Sequence, residues 1–117
     1  MTEAQHQSTL FEWTRQPTIR KRMPELKYLY HIPNGGKRDP IEGKHLKAQG
    51  VKKGVPDLHL PVARKGYYSL YIEMKTETGR TSETQEWWLS ELARQGNYAV
   101  VCRGWKEAVK CLTWYLS

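Results

Sequence analysis

Three residues in the middle of the chain combine side-chain types that hold metals and assist hydrolysis. Asp57 precedes a short apolar run, and Glu73 and Lys75 lie two residues apart in a longer one. Because successive side chains of a strand alternate between its faces, Glu73 and Lys75 project to one side and Ile72 to the other. If the two runs pair as a hairpin, Asp57 lies near both. The pattern predicts a site with two carboxylates and an ammonium group.

Such a site favours a hard divalent cation. Two carboxylates alone would repel each other, and burial would raise a carboxyl pKa, whereas Mg²⁺ or Mn²⁺ with oxygen ligands removes the conflict. The cation would polarise a phosphodiester and lower the pKa of a water, while Lys75 orients that water or stabilises the phosphorane. The residues therefore predict a hydrolytic site for nucleic acid. The alternatives are a solvated strand face for Glu73 and Lys75 and an ordinary Pro-Asp turn for Asp57.

Hydrophobic periodicity and turn signals predict the elements that position these residues. We expect helices over residues 3–16, 40–49, 82–95 and from 105 to the C-terminus, and strands over 28–32, 58–61, 67–75 and 97–102. Ser82 and Gln85 form a capping-box pattern, and Gly96 ends that helix. The order includes a β-α-β crossover. It predicts an α/β fold with a small mixed sheet flanked by helices.

Length and charge narrow the class of protein. The chain has 117 residues, a length typical of one domain. It has 19 Lys and Arg against 12 Asp and Glu, and this net charge of +7 favours a polyanionic partner. Cys102 and Cys111 are the only cysteines and lack metal-ligand spacing, which argues against a zinc finger or a secreted disulfide scaffold. No apolar run approaches the roughly 18 residues of a membrane span. We therefore expect a cytoplasmic protein that binds nucleic acid and no membrane.

An ordered set of motifs resembles a known family. Gly54-Val-Pro-Asp57, Ile72-Glu-Met-Lys75 and Ser82-Glu-Thr-Gln85-Glu-Trp-Trp are similar to the VRR-NUC family of the PD-(D/E)XK nuclease superfamily. The turn Pro33-Asn-Gly-Gly36, the residue Arg38 and the segment Lys47-Ala-Gln-Gly-Val-Lys-Lys-Gly54 also match that family's pattern. The resemblance thus covers nearly the whole chain.

This resemblance implies a single domain over residues 1–117 with a restriction-endonuclease-like core and Mg²⁺- or Mn²⁺-dependent endonuclease activity. The implied metal ligands are Asp57, Glu73 and the backbone carbonyl of Met74, and Lys75 is the implied catalytic lysine. Gln85 matches the family's glutamine on the following helix.

Two further site residues have competing interpretations. The resemblance also implies a metal ligand on the first helix, matched best by Glu3, with Glu12 as the alternative. The helix dipole alone also favours an acidic residue in a first turn. Gln85 either serves the capping box or points inward one turn ahead of Trp88. The two roles of Gln85 do not exclude each other.

Short stand-alone members of the family, typical of bacteria and their phages, resemble dimeric enzymes that cut branched DNA such as four-way (Holliday) junctions. The resemblance therefore implies a homodimer that acts on branched DNA in repair or recombination, in a bacterial cell or a phage-infected host. The rival hypotheses are a flap or restriction-like nuclease, a branched-DNA-binding module without cleavage, and a subunit whose activity depends on a partner.

Basic and aromatic residues outside this set suggest how DNA is held. Six basic residues lie around the glycine turns flanking Asp57, where we expect phosphate contacts in preference to a merely solubilising surface: Lys37, Arg38, Lys44, Lys47, Lys52 and Lys53. Adjacent Trp87 and Trp88 cannot both face inward, so an exposed Trp87 would mark a dimer contact or a DNA surface. We expect His31 and His59 to be structural or DNA-contacting.

Overall fold

Local sequence signals set most element boundaries. The computed structural model describes residues 1–33 and 40–117. It contains the helices α1 (Glu3–Arg15), α2 (Pro17–Arg22), α3 (Pro40–Ala48), α4 (Glu83–Arg94) and α5 (Trp105–Leu116), a 3₁₀ helix over Pro24–Tyr28, and the strands β1 (Tyr30–His31), β2 (Leu58–Leu60), β3 (Leu70–Lys75) and β4 (Tyr98–Arg103). Thr2 and Ser82 begin α1 and α4 with complete capping boxes. None of the helices in these described ranges is long and apolar enough to cross a membrane.

The segment between α1 and β1 differs from the sequence prediction. Pro17 ends α1, as expected, but it also begins the unpredicted helix α2, because the missing N–H of a proline needs no partner at the first helical position. Pro24 then opens the 3₁₀ helix, which extends through Tyr28. The predicted strand over 28–32 is therefore shortened to β1.

The four strands form one mixed sheet in the order β1-β2-β3-β4. β2 pairs antiparallel with β3, Leu58 opposite Ile72, and β1 pairs antiparallel with β2. β4 pairs parallel with β3 after the crossover through α4. The predicted hairpin, crossover and α/β fold with a small mixed sheet flanked by helices are all confirmed.

β3 is buried on both of its faces. Ile72 and Met74 face a core that includes Leu10 of α1 and Leu112 of α5, all with at most 1% of their surface exposed. Burying one such side chain contributes about 1.5–3 kcal/mol to folding. Glu73 projects to the opposite face, where it contacts α4. Apolar packing on one face therefore sets the position of the charged residues on the other.

A close backbone contact places the loop before β2 against α4. Gly54 has a φ of +91°, and a Cβ at this position would lie 2.6 Å from the side chain and 2.9 Å from the backbone of Thr84. Glycine is required for two reasons: the left-handed backbone conformation and the close approach of the Gly54 backbone to Thr84. The contact ties the segment leading to Asp57 to the first turn of α4.

Gly54→Ala is expected to destabilise the protein by about 3 kcal/mol, because strain at positive φ adds to the collision with Thr84. Gly50→Ala is the matched control, since Gly50 also has a positive φ of +97° but has nothing within 4 Å of the added carbon. That variant should lose only about 1 kcal/mol. Thermal unfolding of both variants measures the difference, and equal losses would contradict the contact.

Candidate active site

Carboxylates from three separate parts of the chain meet beside the β2–β3 hairpin. Glu3 lies in the first turn of α1, Asp57 directly precedes β2, and Glu73 lies in β3. One oxygen from each lies within 4.8 Å of the others, and no other trio of acidic, histidine or cysteine side chains with this spacing occurs in residues 1–33 and 40–117. Carboxylate oxygens are the ligands that hard divalent cations prefer. We call Glu3, Asp57 and Glu73 the acidic cluster.

Asp57 is held by hydrogen bonds to both neighbouring strands. Its Oδ2 accepts from the backbone N–H of Met74 at 2.7 Å. Its backbone carbonyl accepts from the Ile32 N–H at 2.7 Å and from Nδ1 of His31 at 2.9 Å. Because the N–H and C=O of a strand residue project to the same side, the Met74 carbonyl also points toward the side of β3 that holds Asp57. This direction is compatible with the predicted ligand role of that carbonyl.

The carboxyl group of Glu73 is buried, with 2% of the residue exposed. Burial, followed by the hydrogen bond and negative charge of Asp57, raises the pKa of Glu73 to about 9, against the opposing effect of Lys75. Its Oε1 has no hydrogen-bond partner. Among the described residues, it is the sole buried side-chain oxygen or nitrogen without one. An unsatisfied buried acceptor costs about 1–3 kcal/mol. A cation would supply the missing partner, so the residues present fit the predicted metal.

Lys75 adds a positive charge on the same face of β3. The residue is 6% exposed, and its Nζ lies 3.7 Å from Oε2 of Glu73. This distance exceeds a hydrogen bond. The ammonium group therefore acts on the carboxylate through its charge and does not donate a hydrogen bond to that oxygen.

Comparison with known proteins assigns the chain to a family. A family model described as the VRR-NUC domain matches residues 1–106. The chain belongs to the VRR-NUC domain family. A solved structure described as "VRR_NUC domain protein" is 30% identical in sequence and has a TM-score of 0.83. The match covers 99% of this chain and 88% of that chain. No curated protein matches. The family predicted from the motifs is confirmed, and it is a family of nucleases.

In this VRR-NUC domain Gln85 performs both of the tasks that the sequence left open. Its Oε1 accepts from the Ser82 N–H at 2.9 Å and completes the capping box of α4. Its Nε2 donates to Oε2 of Glu73 at 3.3 Å. A single amide can do both because its oxygen and nitrogen point in different directions. The cap that begins α4 thereby also orients the Glu73 carboxyl group.

The two acidic candidates of α1 lie in different places. Glu3 belongs to the acidic cluster, whereas Glu12 lines a cavity between α1 and β1. The start of α1 is held by His6, whose Nδ1 accepts from the Trp105 N–H at the beginning of α5 at 3.1 Å. Sequence reasoning missed His6, and no local signal could have found it, because its partner is 99 residues away.

The predicted DNA-contacting residues are exposed where the structure describes them. Lys44 and Lys47 lie on α3, and Lys52 and Lys53 follow it, whereas Lys37 and Arg38 fall outside the described residues. The Lys53 carbonyl accepts from Nε1 of Trp88 at 3.1 Å. The loop that carries Lys52 and Lys53 therefore adjoins α4, the helix that reaches Glu73. Phosphate contacts by these lysines remain a prediction.

The two adjacent tryptophans differ in exposure, and Trp87 is the exposed one, as expected. Trp87 is 57% exposed, whereas Trp88 is half-buried.

Glu73→Gln is expected to raise the melting temperature in EDTA at pH 8. Between the ordinary pKa of 4.5 and the raised value of about 9, the unfolded chain releases the Glu73 proton and the folded chain retains it. The free energy of unfolding therefore falls as pH rises through this window. The neutral glutamine removes this loss of stability. A gain of about 1 kcal/mol in the free energy of unfolding would raise the melting temperature by roughly 4 °C or more in a domain of this size. The advantage should vanish at pH 4.

Mg²⁺ titration of the same proteins tests the cation. Mg²⁺ should raise the melting temperature of the wild-type protein and have little effect on Glu73→Gln. Glu3→Gln should weaken the Mg²⁺ effect, and Glu12→Gln should leave it unchanged. Equal Mg²⁺ stabilisation of all four proteins would exclude the acidic cluster as the binding site.

Proposed function

We propose that residues 1–117 form one nuclease domain, a divalent-metal-dependent endonuclease that hydrolyses phosphodiester bonds in DNA with Mg²⁺ or Mn²⁺. The observation that carries this proposal is the acidic cluster, with its buried Glu73, beside Lys75 in a VRR-NUC domain. The family indicates the class of reaction, and the cluster supplies the donor set that this reaction needs.

The acidic cluster and the Met74 carbonyl would hold the cation. When bound, the cation would polarise the phosphodiester and lower the pKa of a water molecule. Asp57 is pre-oriented for this task by the Met74 N–H, and Glu73 by the amide of Gln85. Ligands held in place before the substrate arrives need not reorganise during the reaction.

Lys75 would stabilise the negative charge that grows on the phosphate oxygens during attack by water. The residue is 6% exposed, so little solvent screens the field of its ammonium group. Because its Nζ lies beyond hydrogen-bond distance from Glu73, its protons can be donated to the substrate or to the attacking water. Hydrolysis by water needs no covalent enzyme intermediate.

Selection by DNA structure, such as a four-way junction, follows from the kind of contacts that the surface offers. The chain carries a net charge of +7, and the described candidate residues Lys44, Lys47, Lys52 and Lys53 are exposed. Lysine contacts to phosphates position a duplex but do not read its base sequence. We therefore infer salt-dependent binding that depends on DNA shape, as branched intermediates of repair and recombination would require.

A second copy of the chain is the partner we propose for α4. No residue of α4 is fully buried, and Trp87 exposes 57% of its surface. β4, which packs beside α4, lies at the edge of the sheet. A four-way junction has two equivalent strands to cut, and a two-fold dimer would present two equivalent sites.

Lys75→Ala and Asp57→Asn are expected to lower the single-turnover cleavage rate at least about a hundredfold, because each removes charge at the reacting phosphate. End-labelled four-way junction, flap and linear duplex are compared in Mg²⁺, Mn²⁺ and EDTA at low salt. Paired cuts near the junction point, absent in EDTA, are the expected result. Asp57→Asn keeps an acceptor for the Met74 N–H, so its loss would report charge and not folding.

Lys110→Ala is the matched control, since Lys110 is an exposed lysine on α5. It should cut at the wild-type rate. Binding of junction DNA without cutting by the wild-type protein in either metal would replace the nuclease with a binding module or a partner-dependent subunit. Cutting by Lys75→Ala at the wild-type rate would show that the active site is elsewhere.

Trp87→Glu is expected to convert a wild-type dimer to a monomer, because a carboxylate would be buried in the contact. Light scattering after size exclusion gives the mass, and the junction assay should change from paired cuts to single nicks. Tyr68→Glu is the control, since Tyr68 is 75% exposed and lies outside α4. A monomeric wild-type protein that still makes paired cuts would refute the dimer.

A further inference from the structure

A cavity of about 450 Å³ lies between α1 and β1. This is within the usual range of roughly 300–1,000 Å³ for a small-molecule site. The α1 wall consists of Gln7, Ser8, Phe11, Glu12 and Arg15, and the other wall of Leu29, Tyr30 and His31. The cavity plays no part in the chemistry described above.

Each wall of the cavity is connected to a residue of the acidic cluster. On α1, Glu3, Gln7 and Phe11 follow one another at intervals of four residues and therefore form one ridge. Gln7 lies about 6 Å along the helix axis from Glu3. On the other wall, Nδ1 of His31 donates to the backbone carbonyl of Asp57 at 2.9 Å. The cavity therefore begins about one helical turn along α1 from the acidic cluster, a spacing suited to an adjoining nucleotide.

The lining suits a flat, neutral ligand with polar edges. Phe11 offers a half-buried ring, over which the Arg15 guanidinium lies at 6.0 Å from the ring centroid. Gln7 offers both a donor and an acceptor, and Ser8 offers a hydroxyl group. The carboxylate of Glu12 opposes the charge of Arg15 and would repel a phosphate. This combination of an aromatic face with mixed hydrogen-bonding groups fits a nucleobase.

We propose that this cavity binds one nucleobase of the cleaved strand, next to the scissile phosphate, after the base has left its pair. The proposal rests on the proposed nuclease function. A base held between α1 and β1 is not stacked within a duplex. The site therefore favours substrates in which a nucleotide beside the cut is already unpaired or easily unpaired, such as a branch point. The cavity would supply structure selection without reading a sequence.

The test is a double-mutant cycle between a protein side chain and a DNA base. Four-way junctions are prepared with a single abasic nucleotide at each position around the cut. At one position the abasic change should lower the wild-type kcat/KM about tenfold or more, the loss expected from one stacked base. Phe11→Ala should cause a similar loss on the intact junction and no further loss on that abasic junction. Independent, multiplicative losses would overturn the proposal.

A second variant guards against misfolding, because Phe11 also packs against the core. Ser8 is exposed, so Ser8→Phe should fold and fill the cavity, with the same loss on the intact junction. Tyr68→Ala should leave every rate unchanged.

The same cycle is measured as Kd by fluorescence anisotropy in EDTA, which requires no cleavage. If the wild-type protein binds but does not cut, the nuclease proposal fails while the coupling still tests the cavity. If it cuts every abasic junction as fast as the intact one, only the cavity proposal fails.

Discussion

A carboxyl group removed from water must be protonated, paired or bound to a cation, and the site is organised around this constraint at Glu73. The residue exposes 2% of its surface, and its Oε1 lacks a partner. Lys75 supplies charge from the same strand face, Gln85 donates from α4, and Asp57 adds a second negative charge. Without a cation the arrangement favours the protonated acid. The same burial that weakens the metal-free protein at neutral pH therefore favours the binding of a divalent ion.

Each group around Glu73 is held by an element whose position depends on another part of the fold. The capping box of α4 contains the amide that contacts Glu73, and the close approach of Gly54 to Thr84 brings that helix to the loop before Asp57. His6 ties the first turn of α1 to the first turn of α5. These contacts join distant parts of the chain at one end of the strands, where β2 begins and β3 ends. A small shift in any of them would separate Glu3, Asp57 and Glu73, and a catalytic role for these residues would tolerate little displacement.

The acidic cluster and the cavity would divide two proposed tasks along α1. In the proposed function, Glu3 at one end of α1 would act on the phosphodiester through the cation, and Phe11 further along the helix would contact a base. A helix presents both because residues four apart share a face. Such a division allows a small domain to combine reaction chemistry with recognition of DNA shape. Exposed lysines would add affinity that is independent of sequence.

The sequence by itself determined the family, the hairpin, the crossover helix with its cap, and the convergence of Asp57, Glu73 and Lys75, because these follow from side-chain alternation, caps and motifs among residues close in the chain. It left Glu3 and Glu12 as alternatives, overlooked His6 and the cavity, and overestimated β1, where Pro24 opens a 3₁₀ helix. Only the tertiary structure decided that Glu3 lies beside Glu73 and that Gln85 both caps α4 and contacts Glu73. It also decided that a cavity forms between α1 and β1. The physical reason is that these contacts join residues far apart in the chain, and packing of the whole core brings them together.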